Sequence, residues 1–382
     1  MTIGIFVVMA GGMAGGPETY EHCLVRSLAK ISLNDEFHVF CLNETARASF
    51  QCNRENVRFH VLRPKTRWIS IPFSLPLALQ SSGVDFFHAT FIPPPFARKP
   101  FVFTMHCYSN YLHPEFYDRA VLWRLNKSIT SGLRRARMVV CVSQCVRDLV
   151  AQDFNIPLER LPVVYNGIDE HFRPAPRAEA QQTIRERYRI SRPYALFVGQ
   201  LKARKNIVRI LEAFHRVREE GHRDLALVLA GKRNWTSEGI DETISRLGLA
   251  SHVHEIGHLS LHDLPILYSA SEMVVFPSLW EGFGIPVIEG MACGVPVITS
   301  NISALPEVAG DAGLLVDPHS SDDIAAAMHR LLTDSELAAT LRARGVERAR
   351  QFSWERSARE TLAAYRAMSE EGLRSGVSAA AV

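Results

Sequence analysis

The chain has 382 residues, 47% hydrophobic and 22% charged, with a formal net charge of +3. That length allows two domains of ordinary size, and the composition is that of a folded globular protein. The small positive excess gives no reason to expect nucleic acid, and no run of about 18 apolar residues suggests a transmembrane helix. Seven cysteines, at positions 23, 41, 52, 107, 141, 145 and 293, include no Cys-x-x-Cys pair. An odd count without that spacing fits a reduced, cytoplasmic setting better than a disulfide framework.

Residues 3–9 form an apolar run with no basic region ahead of it, so they read as a first strand and not as a signal peptide. A glycine-rich loop from Ala10 to Gly16 follows, and Pro17-Glu18 opens a helical pattern with Tyr20, Leu24, Leu28 and Ile31 on one face. Glycines let a backbone approach a ligand closely. The loop lacks the glycine spacing of the dinucleotide fingerprint, so NAD is not expected. A merely tight strand-to-helix turn is the alternative.

Further strands are predicted at 37–41, 57–62, 84–88, 101–105, 139–142 and 163–165, with helical patterns between them, notably 119–135 and 144–152. Such alternation implies a parallel, doubly wound sheet. His106 follows the 101–105 strand and is expected at the carboxyl edge of that sheet, either in a functional role or as a packed side chain. Residues 63–76 and 119–137 mix basic with bulky apolar side chains. That mixture suits contact with an anionic membrane, and equally a solvated face.

The pattern changes between residues 166 and 193, where Asn166-Gly167-Ile168-Asp169 is turn chemistry and residues 173–177 read as a linker. A first domain is expected at 1–170 with 353–372 packing back onto it, a linker at 171–192, a second domain at 193–352 and a disordered tail at 373–382. A second β/α series has strands at 195–198, 225–230, 253–256, 273–276, 296–299 and 314–316.

After the first of these strands, Gly199 to Asn206 crowds Lys202, Arg204 and Lys205 at the start of a helix. Cations there are unfavourable by roughly 0.3–1 kcal/mol each unless an anion is bound, which hints at a phosphate site. The string His254-Glu-Ile-Gly-His258 matches a zinc-protease motif, but Val253 and Ile256 read as a strand. Its histidines would not converge on one helical face, so zinc is not expected.

Residues 274–301 are the most informative stretch: a strand, a loop with Gly282 and Gly284 on either side of Phe283, a short helix, and a second strand. Pro286 suits a first helical turn and Gly294 a helix end. Glu281 lies in the loop and Glu289 about two turns into the helix. Free N–H groups near Gly284 and Ile285 are suited to an anion, with one carboxylate on each side of it.

Taken together, these residues resemble the retaining glycosyltransferases of family 4, which have the GT-B fold. The strongest element is Glu281-Gly-Phe-Gly-Ile-Pro-Val-Ile-Glu289, similar to that family's Glu-x7-Glu, with Gly199…Arg204-Lys205 upstream and Pro306-Glu307 downstream. The resemblance implies an α/β protein of two Rossmann-like domains facing a central cleft, with the last helix crossing back to the N-terminal domain. It implies a nucleotide-sugar donor, with Glu289 on the ribose, Arg204 and Lys205 on the diphosphate, and Glu281 with the backbone of Gly282, Phe283, Gly284 and Ile285 on the transferred sugar. It further places His106 toward the reacting sugar, Gly15 and Gly16 beside the diphosphate and acceptor, Gly199 in the phosphate loop, and Gly257 and His258 beside the base. No metal or other cofactor is expected, because arginine and lysine act as the charge clamp.

The chain departs from the family in carrying Gln200 where arginine often follows the phosphate-loop glycine. The form of that loop resembles bacterial mannosyl- and rhamnosyltransferases of surface polysaccharide synthesis. GDP-mannose is therefore the favoured donor, with UDP-hexoses or dTDP-rhamnose behind it and a glycan or lipid-linked acceptor. Two other readings stay open: a GT-B enzyme that hydrolyses or otherwise converts a nucleotide-sugar, and a non-catalytic sugar-nucleotide-binding subunit.

Overall fold

The computed structural model describes the chain except for residues 13–14, 234–238, 258, 260–262 and 380–382, and describes 371–379 by backbone alone. The chain divides into two compact units, one of Met1–Gly167 with Ser353–Val382, the other of Ile168–Phe352.

The first unit holds a parallel six-stranded sheet of β1 (Thr2–Val7), β2 (Glu36–Cys41), β3 (Val57–Val61), β4 (Phe86–Ala89), β5 (Phe101–Met105) and β6 (Met138–Cys141). Their order is β3-β2-β1-β4-β5-β6. β1, β4, β5 and β6 are almost wholly buried, as expected for parallel strands covered by helices on both faces. The second unit repeats the plan with β7 (Tyr194–Val198), β8 (Ala226–Ala230), β9 (Val253–Gly257), β10 (Met273–Phe276), β11 (Val297–Ser300) and β12 (Leu314–Val316). Their order, β12-β11-β10-β7-β8-β9, is the same winding. In both sheets the order reverses beside the first strand of the unit, and open α/β sheets bind ligands outside the strand ends at such a switch point.

The expected strand at 163–165 does not form. Val163 makes a single bridge to Cys141, held by the Cys141 amide on Pro162 O and the Val164 amide on Cys141 O, both 2.9 Å. The chain then leaves the sheet, and Tyr165 O accepts from Ser357 Oγ. The segment read as a linker, 171–192, contains the helix Arg177–Tyr188, which packs against the helix Leu264–Ala270. Only Ala180 and Ile184 of that helix are buried, so its apolar periodicity was too thin to detect.

The last helix, Trp354–Ala379, packs on the helix Gly16–Ile31 within the first unit. Trp354, Ala358, Leu362, Tyr365 and Met368 supply its buried face, and the Tyr365 hydroxyl meets His88 Nδ1 at 2.6 Å. A Cβ at Gly167 would lie 2.1 Å from the Trp354 amide nitrogen, so only glycine fits where the helix begins. The helix continues to Ala379, through most of the tail expected to be disordered at 373–382. Among the described residues, no helix is long and apolar enough to cross a membrane.

Candidate active site

β10 ends at Phe276, and its loop leads into the helix Ile285–Ala292 with Pro286 in the first turn. Hydrogen bonds fasten this loop at several points. Leu279 donates its amide to Arg204 O (2.9 Å), Ser300 Oγ donates to Ser278 O (2.6 Å), and the Glu281 amide reaches Ser303 Oγ (3.2 Å). Asn206 Nδ2 bridges Pro277 O (3.0 Å) and Pro318 O (2.6 Å). Gly284 has φ +103°, and a Cβ there would lie 2.6 Å from Leu305 Cδ2. The positive φ demands glycine immediately before the helix, and a Cβ would also push the Leu305 side chain aside.

The charges converge here. Arg204 and Lys205 sit on a short 3-10 turn, Ala203–Lys205, ahead of the helix Ile207–Glu219. Glu281 Oε1 accepts from Lys205 Nζ at 2.5 Å and pairs with Arg204 Nη1 at 3.0 Å. Arg204 also donates to Trp280 O, and the Lys205 ammonium lies 4.4 Å from the centre of the Phe276 ring. Burial alone would raise the Glu281 carboxyl, but Arg204 and then Lys205 outweigh it and hold the group at about 2. Burial lowers Lys205 to about 8, where most of it remains charged at neutral pH. Two cations against one carboxylate leave net positive charge at the end of β10, which is what an anion site requires.

The loop after β7, where a phosphate site is expected, is shaped by two glycines in contact. A Cβ at Gly231, whose φ is +156°, would lie 1.8 Å from Gly199 O. The Gly199 amide donates to Ala230 O at 2.9 Å, so the loop after β7 lies directly on the end of β8. Gln200 follows, half-buried.

Glu289 lies on the same short helix, 6% exposed, and accepts from the Tyr268 hydroxyl at 2.7 Å through Oε2. Burial pushes its carboxyl up to about 7, against the pull of that hydrogen bond. The two glutamates are thus electrostatically opposite: Glu281 is ionised by its cations, and Glu289 is poised near neutrality. Gly257 ends β9 with φ +69°. His254 lies on that strand and not on a helix. His258, expected beside it, lies outside the described residues.

In the first unit, His106 follows β5 and its Nε2–H donates to Thr90 O at 2.7 Å. Its ring stacks with Phe91 at 5.5 Å and meets the edge of Tyr20 at 4.5 Å. Burial lowers its pKa to about 4, so the ring is neutral at physiological pH. Gly15 caps the helix Gly16–Ile31 with φ +72°. The loop between β1 and that helix is held by two acids of the helix, Glu18 and Glu21. Glu21 accepts from the amides of Val8 (2.8 Å), Met9 (2.9 Å) and Ala10 (2.8 Å) and from Thr90 Oγ1 (2.6 Å), while Glu18 takes the Gly11 amide (2.7 Å). Thr90 therefore joins the glycine loop to His106. A signal for Glu21 was present: it shares the apolar stripe of Leu24 and Leu28 three and seven residues on. Tyr268 and Asn206 gave no comparable signal.

The group 1 glycosyl transferase family matches residues 180–351, and glycosyltransferase family 4 matches residues 14–172. O-antigen chain mannosyltransferase B of Escherichia coli is 34% identical over 265 residues, 69% of this chain and 70% of that protein. The serotype-specific mannosyltransferase WbdA of E. coli is also 34% identical, over 230 residues, but this chain spans only 28% of its length. Among solved structures, the Anabaena protein HepE in complex with UDP and glucose superposes with a TM-score of 0.76 at 20% identity, covering 96% of this chain and 99% of that one. Sucrose-phosphate synthase from Thermosynechococcus elongatus superposes with a TM-score of 0.79 at 20% identity, covering 97% and 100%. The structural likenesses establish the fold and the sequence relatives establish the lineage: this chain belongs to the group 1, family 4 glycosyltransferases and is a glycosyltransferase of the GT-B fold.

Proposed function

We propose that the chain transfers mannose from GDP-mannose, with retention of anomeric configuration, to a glycan or lipid-linked acceptor of a cell-surface polysaccharide. The observation that carries this reading is the cluster of Arg204, Lys205 and Glu281 at the end of β10, with Glu289 on the helix that follows. A diphosphate takes over the two cations from Glu281, and the released carboxylate holds hydroxyls of the transferred sugar. As the glycosidic bond breaks, negative charge grows on the leaving diphosphate, and Arg204 and Lys205 stabilise it in a site from which water is largely excluded. The departing phosphate accepts the proton of the attacking acceptor hydroxyl on the same face of the sugar, so configuration is kept and no protein base is required. Glu289 accepts hydrogen bonds from the ribose hydroxyls. In this reading the cations do the work of a metal, His106 faces the reacting sugar, and Gly15 and Gly16 border the diphosphate and acceptor. The mannosyltransferases among the relatives support mannose.

A thermal-shift series with GDP, UDP, dTDP and ADP tests the donor, and transfer from the matching nucleotide-sugar, with the product anomer read by NMR, tests the reaction. Stabilisation by UDP or dTDP and not GDP would replace the donor, and an inverted product would refute retention.

Localisation at the inner face of a membrane is part of the same reading. Trp68, Phe73, Leu77, Phe96 and Trp123 are all more than half exposed in the first unit. The Arg124 guanidinium sits 4.8 Å over Trp68, and Lys127 lies 5.0 Å from Trp123. Aromatic rings paired with cations suit the headgroup region of an anionic bilayer.

A further inference from the structure

Glu289 poses a problem that its own helix does not solve. A buried carboxyl tends to keep its proton, yet a group that accepts from two ribose hydroxyls works best ionised. The Ile285–Ala292 helix offers no cation. What the structure offers instead is Tyr268, on the helix Leu264–Ala270, with its hydroxyl 2.7 Å from Glu289 Oε2. Tyr268 is fully buried, its ring stands edge-on to Phe172 at 6.1 Å, and its carbonyl accepts from both the amide (2.9 Å) and the hydroxyl (2.7 Å) of Ser271. The Ser271 bonds fix the backbone at Tyr268, burial and Phe172 confine its ring, and the phenol so confined fixes the plane of the carboxyl it binds.

We propose that Tyr268 is a positioning residue for the donor, orienting the Glu289 carboxylate so that its other oxygen, Oε1, is presented to the ribose. This rests on the reading that Glu289 takes the ribose. Among the described residues, Tyr268 is the one side chain bonded to Glu289. The bond favours the charged carboxylate, and burial opposes it. Loss of the hydroxyl therefore raises the carboxyl further above neutrality.

The surroundings add no competing titration. Burial and then the Glu289 charge push the Cys293 thiol up, and the Tyr268 phenol rises well above its usual range, so both stay neutral from pH 6 to 9. On the neighbouring helices Arg342 interacts with Arg177 and Glu272, Arg344 pairs with Asp311, Glu347 pairs with Arg350, Arg348 donates to Glu307 O and Val308 O, Asp263 pairs with Arg187, and Glu336 is exposed. β10 and β11 carry no ionisable side chain. Lys205 titrates near 8, but it does so in every variant and cancels in ratios to wild type.

The test is calorimetric binding of GDP, or of whichever of UDP, dTDP and ADP stabilises the wild type most, to full-length wild type, Tyr268→Phe, Glu289→Gln and Glu289→Ala at pH 6, 7, 8 and 9. Tyr268→Phe should bind about tenfold more weakly at pH 7. That deficit should shrink toward pH 9 as the carboxylate ionises unaided, and the change should fall on donor KM with kcat nearly unchanged. Glu289→Gln, which keeps its shape and cannot ionise, should show a deficit that does not recover at pH 9. A deficit in Tyr268→Phe that is equal at every pH, or none at all while Glu289→Ala is weak, overturns the role of Tyr268. Should Tyr268→Phe fold poorly, a recovering deficit in Glu289→Gln overturns it as well. Wild-type binding by Glu289→Ala overturns the ribose reading itself.

Discussion

Replacing Glu281 by glutamine removes one charge from a buried three-residue cluster and leaves its volume. Glu281 is 7% exposed and Lys205 9%, so solvent screens the pair little. The carboxyl titrates near 2 in the folded chain against an ordinary 4.5, a difference that favours the folded, ionised form by about 3 kcal/mol at neutral pH. Removing one partner of a buried pair generally costs about 3–5 kcal/mol, so the two routes agree. Because the folded pKa is depressed, this stability is fully present above pH 4.5 and is lost as pH falls toward 2. Urea titrations of wild type and Glu281→Gln should therefore differ by about 3 kcal/mol at pH 7 and at pH 6, and by less than half of that at pH 3. Function should separate from stability. A nucleoside diphosphate supplies the anion that Arg204 and Lys205 have lost, so the variant should bind it at least as tightly as wild type. Transfer should nevertheless fall by two orders of magnitude or more, as when a preorganised polar contact to the reacting group is lost. Wild-type stability across this pH range, or nucleotide affinity that collapses together with transfer, would refute the reasoning.

Other outcomes follow from the same geometry. Glu289→Ala should raise donor KM by roughly 10- to 100-fold, with kcat changed little, as read in steady-state transfer assays. Burial raises the Glu21 carboxyl to about 7, so its contribution to stability is complete below pH 4.5 and is lost as pH rises through 7. Glu289 acts over the same window. Buried His88 and His106, held neutral, contribute the opposite slope below pH 6.5, so the test is the difference between variants: chemical denaturation from pH 4.5 to 8 should show wild type losing stability relative to Glu21→Gln as pH rises, and a difference that does not move with pH would refute the assignment. Gly231→Ala forces a Cβ against Gly199 O at 1.8 Å and should cost at least about 3 kcal/mol, seen as a large drop in Tm with loss of nucleotide binding. Replacing Arg124 and Lys127 by glutamine should weaken sedimentation with phosphatidylglycerol vesicles by roughly 30-fold and leave sedimentation with phosphatidylcholine vesicles unchanged. Equal sedimentation of variant and wild type would remove the membrane from the functional reading.

The sequence alone determined the architecture, because alternating short apolar runs and amphipathic helices are local patterns that allow one packing class. It also marked the two loops where glycines and charges cluster, since Pro286, Gly294 and the cations at 202–205 are punctuation legible residue by residue. Tertiary structure alone decided who partners whom. Lys205 and Glu281 are 76 positions apart, and nothing in either segment shows that one carboxylate oxygen serves both cations. Tyr268 is an ordinary member of its helix until the fold brings it a carboxyl, and Glu21, though out of place on an apolar stripe, has no visible purpose until the fold brings it a row of loop amides. The failed strand at 163–165 and the unforeseen helix Arg177–Tyr188 have the same cause. Short segments take their structure from the surface they meet, and that surface is assembled from distant parts of the chain.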